Sequence, residues 1–267
     1  MSHRKYCYRR RPQQRARAGS DATADTSSLS SSSESSHHGK RNNRRSEQEQ
    51  HNRPRHVQVF TEEQIQQYLA LDCEMVGVGA DGRQSALARV TIIDWHGSVL
   101  MDELVQQQQV VTDYRTFVSG ITAEDLDRAE LDFATCQQRV QQLLKGKVLV
   151  GHGLKSDLRV LGITHPWYNT RDTAKYEPFQ QVRFDDGVLW PRSLKDLCRV
   201  HLNRDVQVQG QPHCPHEDAL AALDLYRHVS SQWEKAMQYK LAKTRAIEQH
   251  RLQGQHVAPA WVAPSLA

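Results

Sequence analysis

Apolar positions are almost absent from the first 56 residues and become regular after them. From Val57 onward, short apolar runs alternate with amphipathic stretches. Residues 68–75 are apolar with a hint of period two and predict a strand. Residues 86–95 and 98–105 are rich in β-formers and predict two more, with His96-Gly97 as the turn between them. Leu131, Phe133, Val140, Leu143 and Leu144 recur near helical spacing, which predicts a helix over 131–144. Residues 147–150 read as a short buried strand closed by a Gly151-His152-Gly153 turn. Leu154, Leu158 and Leu161 then share one helix face, and 193–202 predicts a further helix with Ser193 as its N-cap. A last long helix is expected from about residue 217 to beyond 233, as far as 243, followed by a frayed end over 257–267.

Strands first and strand–helix alternation afterwards predict one α/β domain over 57–235, with a helix extension and tail over 236–267. A domain of ~170–180 residues buries ~70% of its unfolded surface. Residues 1–56 read as a disordered, basic, Ser-rich tail, because nothing in them offsets the entropy of ordering the backbone. The tail carries Arg9-Arg10-Arg11, Lys40-Arg41 and Arg44-Arg45 around a serine-rich run from Ser27 to Ser36. It is either a solvated, solubilising tail or a nuclear import signal and loose nucleic-acid contact; the repeated clusters favour the second.

Charge changes the picture. The formal net charge is +4, yet residues 1–56 hold 13 Lys and Arg against 5 Asp and Glu, and the remainder holds 22 against 26. A tail of +8 is thus joined to a body of −4, and the pooled value would wrongly suggest a basic fold. The longest apolar runs fall far short of the ~20 residues that cross a bilayer, and no secretory-signal core is visible, so no membrane partner is expected. The five cysteines are scattered, odd in number and never spaced C-x-x-C, which argues against a disulfide framework or a zinc ribbon and fits a reducing compartment.

The candidate chemistry begins in Leu71-Asp72-Cys73-Glu74-Met75. Alternate strand residues share a face, so Asp72 and Glu74 point together and Leu71, Cys73 and Met75 point the other way. Two such carboxylates repel each other and are costly to desolvate; either both lie in water on an edge strand, or a hard divalent cation joins them. Asp157 falls in the first helical turn after the 147–150 strand, at the carboxyl end of a strand, where α/β proteins bind ligands. It could equally be an acid complementing the helix dipole. In His213-Cys214-Pro215-His216-Glu217-Asp218, Asp218 opens the last helix as a ligand or a capping acid. A zinc site from His213, Cys214 and His216 is a poorer alternative, lacking a second cysteine pair.

The order D-x-E, Asp157, then H-x-x-x-x-D resembles the DEDDh 3′→5′ exonucleases of the ribonuclease-H-like superfamily, most closely the RNA exonuclease 4 group. The resemblance covers residues 68–226. It includes Leu87-Ala88-Arg89-Val90, Thr112-Asp113-Tyr114-Arg115-Thr116, Val150-Gly151-His152, Arg171-Asp172-Thr173, Ser193-Leu194-Lys195-Asp196-Leu197 and Glu217-Asp218-Ala219. It implies a ribonuclease-H-like five-stranded mixed sheet flanked by helices: three antiparallel strands including 68–75, extended by two parallel ones. Asp72 and Glu74 would lie on a central strand, with Asp157 and Asp218 arriving from helix termini. Gly153, where relatives carry a larger residue, and the proline and second histidine of the 213–218 loop depart from the family pattern.

By the same resemblance the chain would hydrolyse RNA phosphodiesters with two Mg2+ (or Mn2+) ions, releasing nucleoside 5′-monophosphates, in ribosomal-RNA processing in the nucleus and nucleolus. Asp72 would bridge the ions, Glu74 and Asp218 would hold the one that activates water, and Asp157 would support the other. The H-x-x-x-x-D spacing selects His213, not His216, as the family histidine, and it would be the general base, a role suited to an imidazole that ordinarily titrates at ~6.5. Met75 and Arg115 would read the terminal nucleotide, although Arg115 serves equally well as a structural ion pair. Arg171 and Asp172 read as architectural. The competing functions are a DNA-directed repair exonuclease and a catalytically silent nucleic-acid-binding module; a transit peptide competes with the nuclear reading of the tail.

Overall fold

A computed structural model describes residues 60–183 and 187–255. The expectations for residues 1–56 and 257–267 lie outside the described residues. The strands are β1 (Tyr68–Val78), β2 (Gln84–Asp94), β3 (Val99–Leu104), β4 (Val111–Asp113), β5 (Val148–Gly151), β6 (Thr170–Asp172), β7 (Gln181–Val182) and β8 (Leu189–Trp190). The helices are α1 (Glu62–Ile65), α2 (Thr116–Ser119), α3 (Ala123–Asp127), α4 (Phe133–Leu144), α5 (Lys155–Val160), α6 (Leu194–Leu197) and α7 (Pro215–Gln255).

The main sheet runs β3-β2-β1-β5-β6. β1 pairs antiparallel with β2, and β2 with β3, while β5 and β6 extend the sheet in parallel. This is the expected five-stranded mixed sheet with one addition: β4, a short sixth strand, pairs with the far end of β1 through Gly77 and Val78. β1 therefore extends three residues beyond the expected 68–75.

Both faces of β1 are covered, which is why its sequence is apolar almost throughout. Leu69, Leu71 and Cys73 pack with Cys136, Val140 and Leu144 of α4 and with Leu154 and Leu161 around α5. On the other face Tyr68 and Ala70 meet Ala219, Leu223 and Tyr226 of α7. The next two positions on that face are Asp72 and Glu74, so the apolar seam with α7 gives way to carboxylates at the start of that helix. A register shift against β2 follows at Glu74/Met75, and bulges of this kind re-aim side chains beside functional sites.

Helix boundaries differ from expectation for local reasons. α4 starts two residues late because Asp132 caps it, accepting from the Thr135 N–H at 2.9 Å. Leu131 is left to a bridge with Val105. Ser193 caps α6 as expected, but from Cys198 the helix widens into a π-helical turn to Leu202 and ends at Asn203 with φ 49°. α7 begins at Pro215, where a proline costs no intrahelical hydrogen bond, and continues through Gln255. It crosses position 235 without a break. Arg171 forks onto Glu234 of α7, with Nε–Oε1 2.6 Å and Nη2–Oε2 2.8 Å, and ties β6 to that helix. Tyr226 donates its hydroxyl to the same carboxylate at 2.9 Å. Among the described residues no helix is long and apolar enough to cross a membrane.

Candidate active site

Asp72, Glu74, Met75, Arg115, His213 and Asp218 line one pocket of about 350 Å3, together with Val118, Ser119, His152, Leu194 and Gln207. Asp157 stands behind its wall: its Oδ1 accepts from the Cys73 N–H at 3.1 Å, next to Asp72. Three remote segments thus meet at the middle of β1.

Each segment arrives by a local device. β5 pairs with β1 up to Ala70↔Val150, and the chain must turn at Gly151 into α5 directly over the strand. A Cβ on Gly151 would collide with the Leu154 side chain and lie 3.0 Å from Leu71 O, so only glycine permits the turn. Gly153 follows with φ +74° and open space around its Cα, and its N–H donates to Asp172 Oδ1 at 2.7 Å. Here the requirement is conformational. Asp172, which also accepts from the Ala174 N–H at 3.1 Å, is thus an architectural residue of the turn. Asp218 comes from the first turn of α7, where its N–H donates to Cys214 O at 2.9 Å. The incoming loop is pinned by the His213 N–H to Val118 O, 2.8 Å.

The two histidines of that loop separate cleanly. His213 lines the pocket with Nδ1 3.6 Å from Asp218 Oδ2, whereas His216 turns to the β2–β3 hairpin and bonds Gly97 O at 3.2 Å. With His216 facing elsewhere, the His213–Cys214–His216 zinc alternative loses its geometry.

Electrostatics mark the acids as a strained group. Burial, and then the neighbouring Asp157, Asp218 and Glu74, push Asp72 well above the usual carboxylate range. Burial also lifts Asp157 to about 7, against the hydrogen bond from Cys73 that lowers it, and Asp218 to about 6, against its bond from Gln207. Asp218 Oδ1 is buried without a hydrogen-bond partner, while Oδ2 accepts from Gln207 Nε2 at 2.9 Å. Among the described residues no three His, Cys, Asp or Glu side chains close into a preformed metal cage. The acids ring an open pocket instead. An orphaned buried carboxylate oxygen and an all-oxygen donor set nonetheless fit a hard divalent cation. The Cys73 thiol, buried and pushed well up by burial and Asp157, is no nucleophile.

Arg115 lines the pocket, where a contact to the terminal nucleotide was expected, and also makes structural bonds. It stands at the pocket rim, but its guanidinium is engaged by the protein: Nη1 donates to Ser85 Oγ at 2.9 Å and Nη2 to Gly82 O at 2.8 Å. It sits at φ 50° with its N–H on Asp113 Oδ1. The arginine clamps the β1–β2 turn to the start of α2 while its side chain lines the pocket, so the structural role and a nucleotide contact are compatible. Sequence reasoning missed Gln207, which holds Asp218 from a loop position at φ 51°. No periodicity or motif spacing signals such a contact. His152 was visible only as part of the Gly151-His152 segment; its Nδ1 lies 2.9 Å from Thr173 Oγ1, and burial lowers its pKa.

Known proteins share the sequence and fold of this region. The chain is 43% identical over 170 residues to RNA exonuclease 4 of Mycosarcoma maydis, covering 64% of this chain and 44% of that protein. To RNA exonuclease 4 of Homo sapiens it is 46% identical over 167 residues, 62% of this chain and 38% of the other. It spans about two fifths of the length of these relatives. Among solved structures, the Saccharomyces cerevisiae Pan2 pseudoubiquitin hydrolase–RNA exonuclease module in complex with AAGGA RNA superposes with a TM-score of 0.54. That match has 27% identity over 74% of this chain and 36% of the other. The Neurospora crassa Pan2 catalytic unit, at 24% identity and a TM-score of 0.53 over 72% of this chain and 31% of that one, shares the fold. The family model RNase T, an exonuclease family, matches residues 69–226, more than half of the chain and the whole stretch from β1 to Tyr226 that builds the pocket; the chain belongs to that exonuclease family.

Proposed function

We propose that the protein is a divalent-metal-dependent exonuclease that removes nucleotides from the 3′ end of RNA as nucleoside 5′-monophosphates. One observation carries the reading: Asp72, Glu74, Asp218 and His213 share a single small pocket, with Asp157 directly behind it. The pocket's 350 Å3 lies at the lower end of the ~300–1,000 Å3 range of ligand sites, a size suited to one terminal nucleotide and not to a duplex.

Asp72, at the centre of the acids, would be the ligand shared by two Mg2+ (or Mn2+) ions, with Glu74 and Asp218 holding one of them and Asp157 supporting the other. When bound, the cations would supply positive charge at the scissile phosphate and lower the pKa of water so that it deprotonates to a nucleophile. His213, beside the Asp218 carboxylate and open to the pocket, would take the proton from the attacking water. Gln207 keeps Asp218 oriented toward the ring. Met75 packs against the base or sugar of the terminal nucleotide. Arg115 contributes by holding the pocket rim in place. RNA as the substrate is supported by the names of the relatives, and a nuclear location by the arginine clusters of residues 1–56; the nucleolus and ribosomal-RNA processing follow from the family resemblance alone.

A single-stranded RNA labelled at either end, incubated with Mg2+ or with chelator, tests the reading. The 5′-labelled strand should shorten in single-nucleotide steps, the 3′-labelled strand should release labelled mononucleotide at once, and chelator should stop both. Mononucleotide release from the 5′ end, or undiminished activity in chelator, would overturn it. A fluorescent fusion with and without residues 1–56 tests the localisation: retained nuclear signal after deletion refutes the tail as the import element.

A further inference from the structure

A second, larger cleft lies beside the pocket, between α5, the β6 edge and α7, with a volume of about 1250 Å3. The two are separated by the Gly153–Asp172 hydrogen bond, since His152 lines the pocket and Leu154, Lys155 and Asp172 line the cleft. The cleft exceeds the ~300–1,000 Å3 of ordinary small-ligand sites, which favours a polymer.

Its chemistry differs from that of the acidic pocket. Exposed Lys155, Arg159, Lys175 and Lys240 line it, against Glu177 and Asp172; Asp172 holds the turn at Gly153 and lies 3.8 Å from Lys175 Nζ, an exposed lysine that a phosphate can draw away. Trp167, half exposed, and Tyr176, stacked on Trp233 at 4.1 Å and 10°, supply flat apolar surface among the cations. The helix wall continues the pattern. Trp233, Ala236, Met237 and Lys240 line the cleft at helical spacing, and the same face of α7 carries on through Lys243, Ile247 and Arg251. Residues 235–251 hold five Lys and Arg against one acid, in a body whose net charge is −4. Cations interleaved with aromatic faces are the chemistry that binds single-stranded nucleic acid: charge tracks the phosphates and rings stack on bases of any identity.

We propose that this cleft and the basic extension of α7 bind the single-stranded part of the RNA that lies 5′ to the nucleotide in the catalytic pocket. The inference rests on the RNA-exonuclease reading above and adds a path for the strand. The path bypasses the net negative charge of the body and delivers the 3′ end across the Gly153–Asp172 ridge. Chains long enough to cross the ridge gain affinity, and fragments too short to reach it are held by the pocket alone.

The test compares full-length wild type with a Lys155→Gln/Lys175→Gln/Lys240→Gln variant and with Trp167→Ala; all four residues are solvent-exposed, so folding is preserved. Each is assayed on a trinucleotide and on a 20-nucleotide unstructured RNA, across a salt series, and binding of the same labelled RNA is measured by fluorescence anisotropy in chelator. The triple variant should keep wild-type kcat on the trinucleotide and raise KM on the long RNA about tenfold or more. Its log KM against log salt should be shallower by about two, as loss of three single-strand phosphate contacts requires. Trp167→Ala should weaken long-RNA binding several-fold with no change in salt slope. Unaltered long-RNA affinity and salt slope in a wild type that degrades RNA would overturn the path and leave the exonuclease reading intact. A wild type that binds RNA through these residues in chelator but hydrolyses none would refute the exonuclease reading and keep the cleft as an RNA site. Dimerisation of wild type that Trp167→Ala abolishes, with RNA affinity unchanged, would assign the cleft to a second copy of the chain and overturn the proposal.

Discussion

At the residue scale, the proposed ligands are held at a cost to stability. Asp72, Asp157 and Asp218 all have folded-state pKa values raised above their unfolded ones, by burial first. For an acid shifted this way, the stability contribution is full below the unfolded pKa of about 4 and is lost as pH rises through the folded value, here up to about 7. The metal-free protein should therefore melt at a lower temperature at pH 8 than at pH 5. Asp72→Asn should raise stability at pH 8 in chelator while abolishing turnover, the gain vanishing near pH 4. Thermal denaturation across that range checks it; an Asp72→Asn protein less stable than wild type at pH 8 contradicts the repulsion. His213→Ala should lose ~10²–10⁴-fold in kcat with RNA binding retained, as expected for a missing general base. His216→Ala, which loses the contact to Gly97 O outside the pocket, should stay within a few-fold of wild type. Single-turnover kinetics on both variants would show a reversed assignment directly.

At the scale of elements, the site depends on how α5 and α7 dock on the sheet. Gly151 brings α5 close enough for Asp157 to reach the Cys73 amide, and the fork from Arg171 to Glu234 anchors α7 to β6. Arg171 is nearly fully buried, at 4% exposure. Truncating one side of a buried pair strands the other charge, so Arg171→Ala should cost ~3–5 kcal/mol. The expected sign of failure is a lowered urea midpoint with metal affinity largely kept in the protein that remains folded. A double Arg171→Met/Glu234→Gln variant should recover part of the loss; equal losses in single and double variants would show that the pair is not the anchor.

At the scale of the whole molecule, the charges of the two parts have opposite sign, +8 over residues 1–56 and −4 over the rest. Acids crowded around the pocket would repel a polyanion at long range, and under the proposed function a basic segment joined to them would raise the local concentration of RNA without reading its sequence. Deleting residues 1–56 should leave kcat on a trinucleotide unchanged, lower affinity for long RNA and flatten its salt dependence. Identical salt slopes for full-length and truncated protein would remove this role for the segment. The cleft variant and the truncation act through separate contacts, so their losses in binding free energy should add.

What the sequence determined by itself is what periodicity and local chemistry encode. The apolar runs located β1, β2, β3, β5 and α4 because burial on a strand or helix face imposes a repeat of two or 3.6. Asp72 and Glu74 were legible as a same-face pair for the same reason, and Ser193 as a cap because its hydroxyl serves a backbone N–H three residues on. Resemblance to a family supplied Asp157, His213 and Asp218, which no local pattern distinguishes from helix-terminal acids and a loop histidine. The tertiary structure alone decided the rest. It turned Arg115 inward onto Ser85 and Gly82, sent His216 to Gly97, brought Gln207 to Asp218, and paired β4 with the end of β1. These contacts join positions 11 to 119 residues apart, and a side chain's partner across such a distance is set by how the packed elements meet, a relation that carries no signature in the neighbouring sequence.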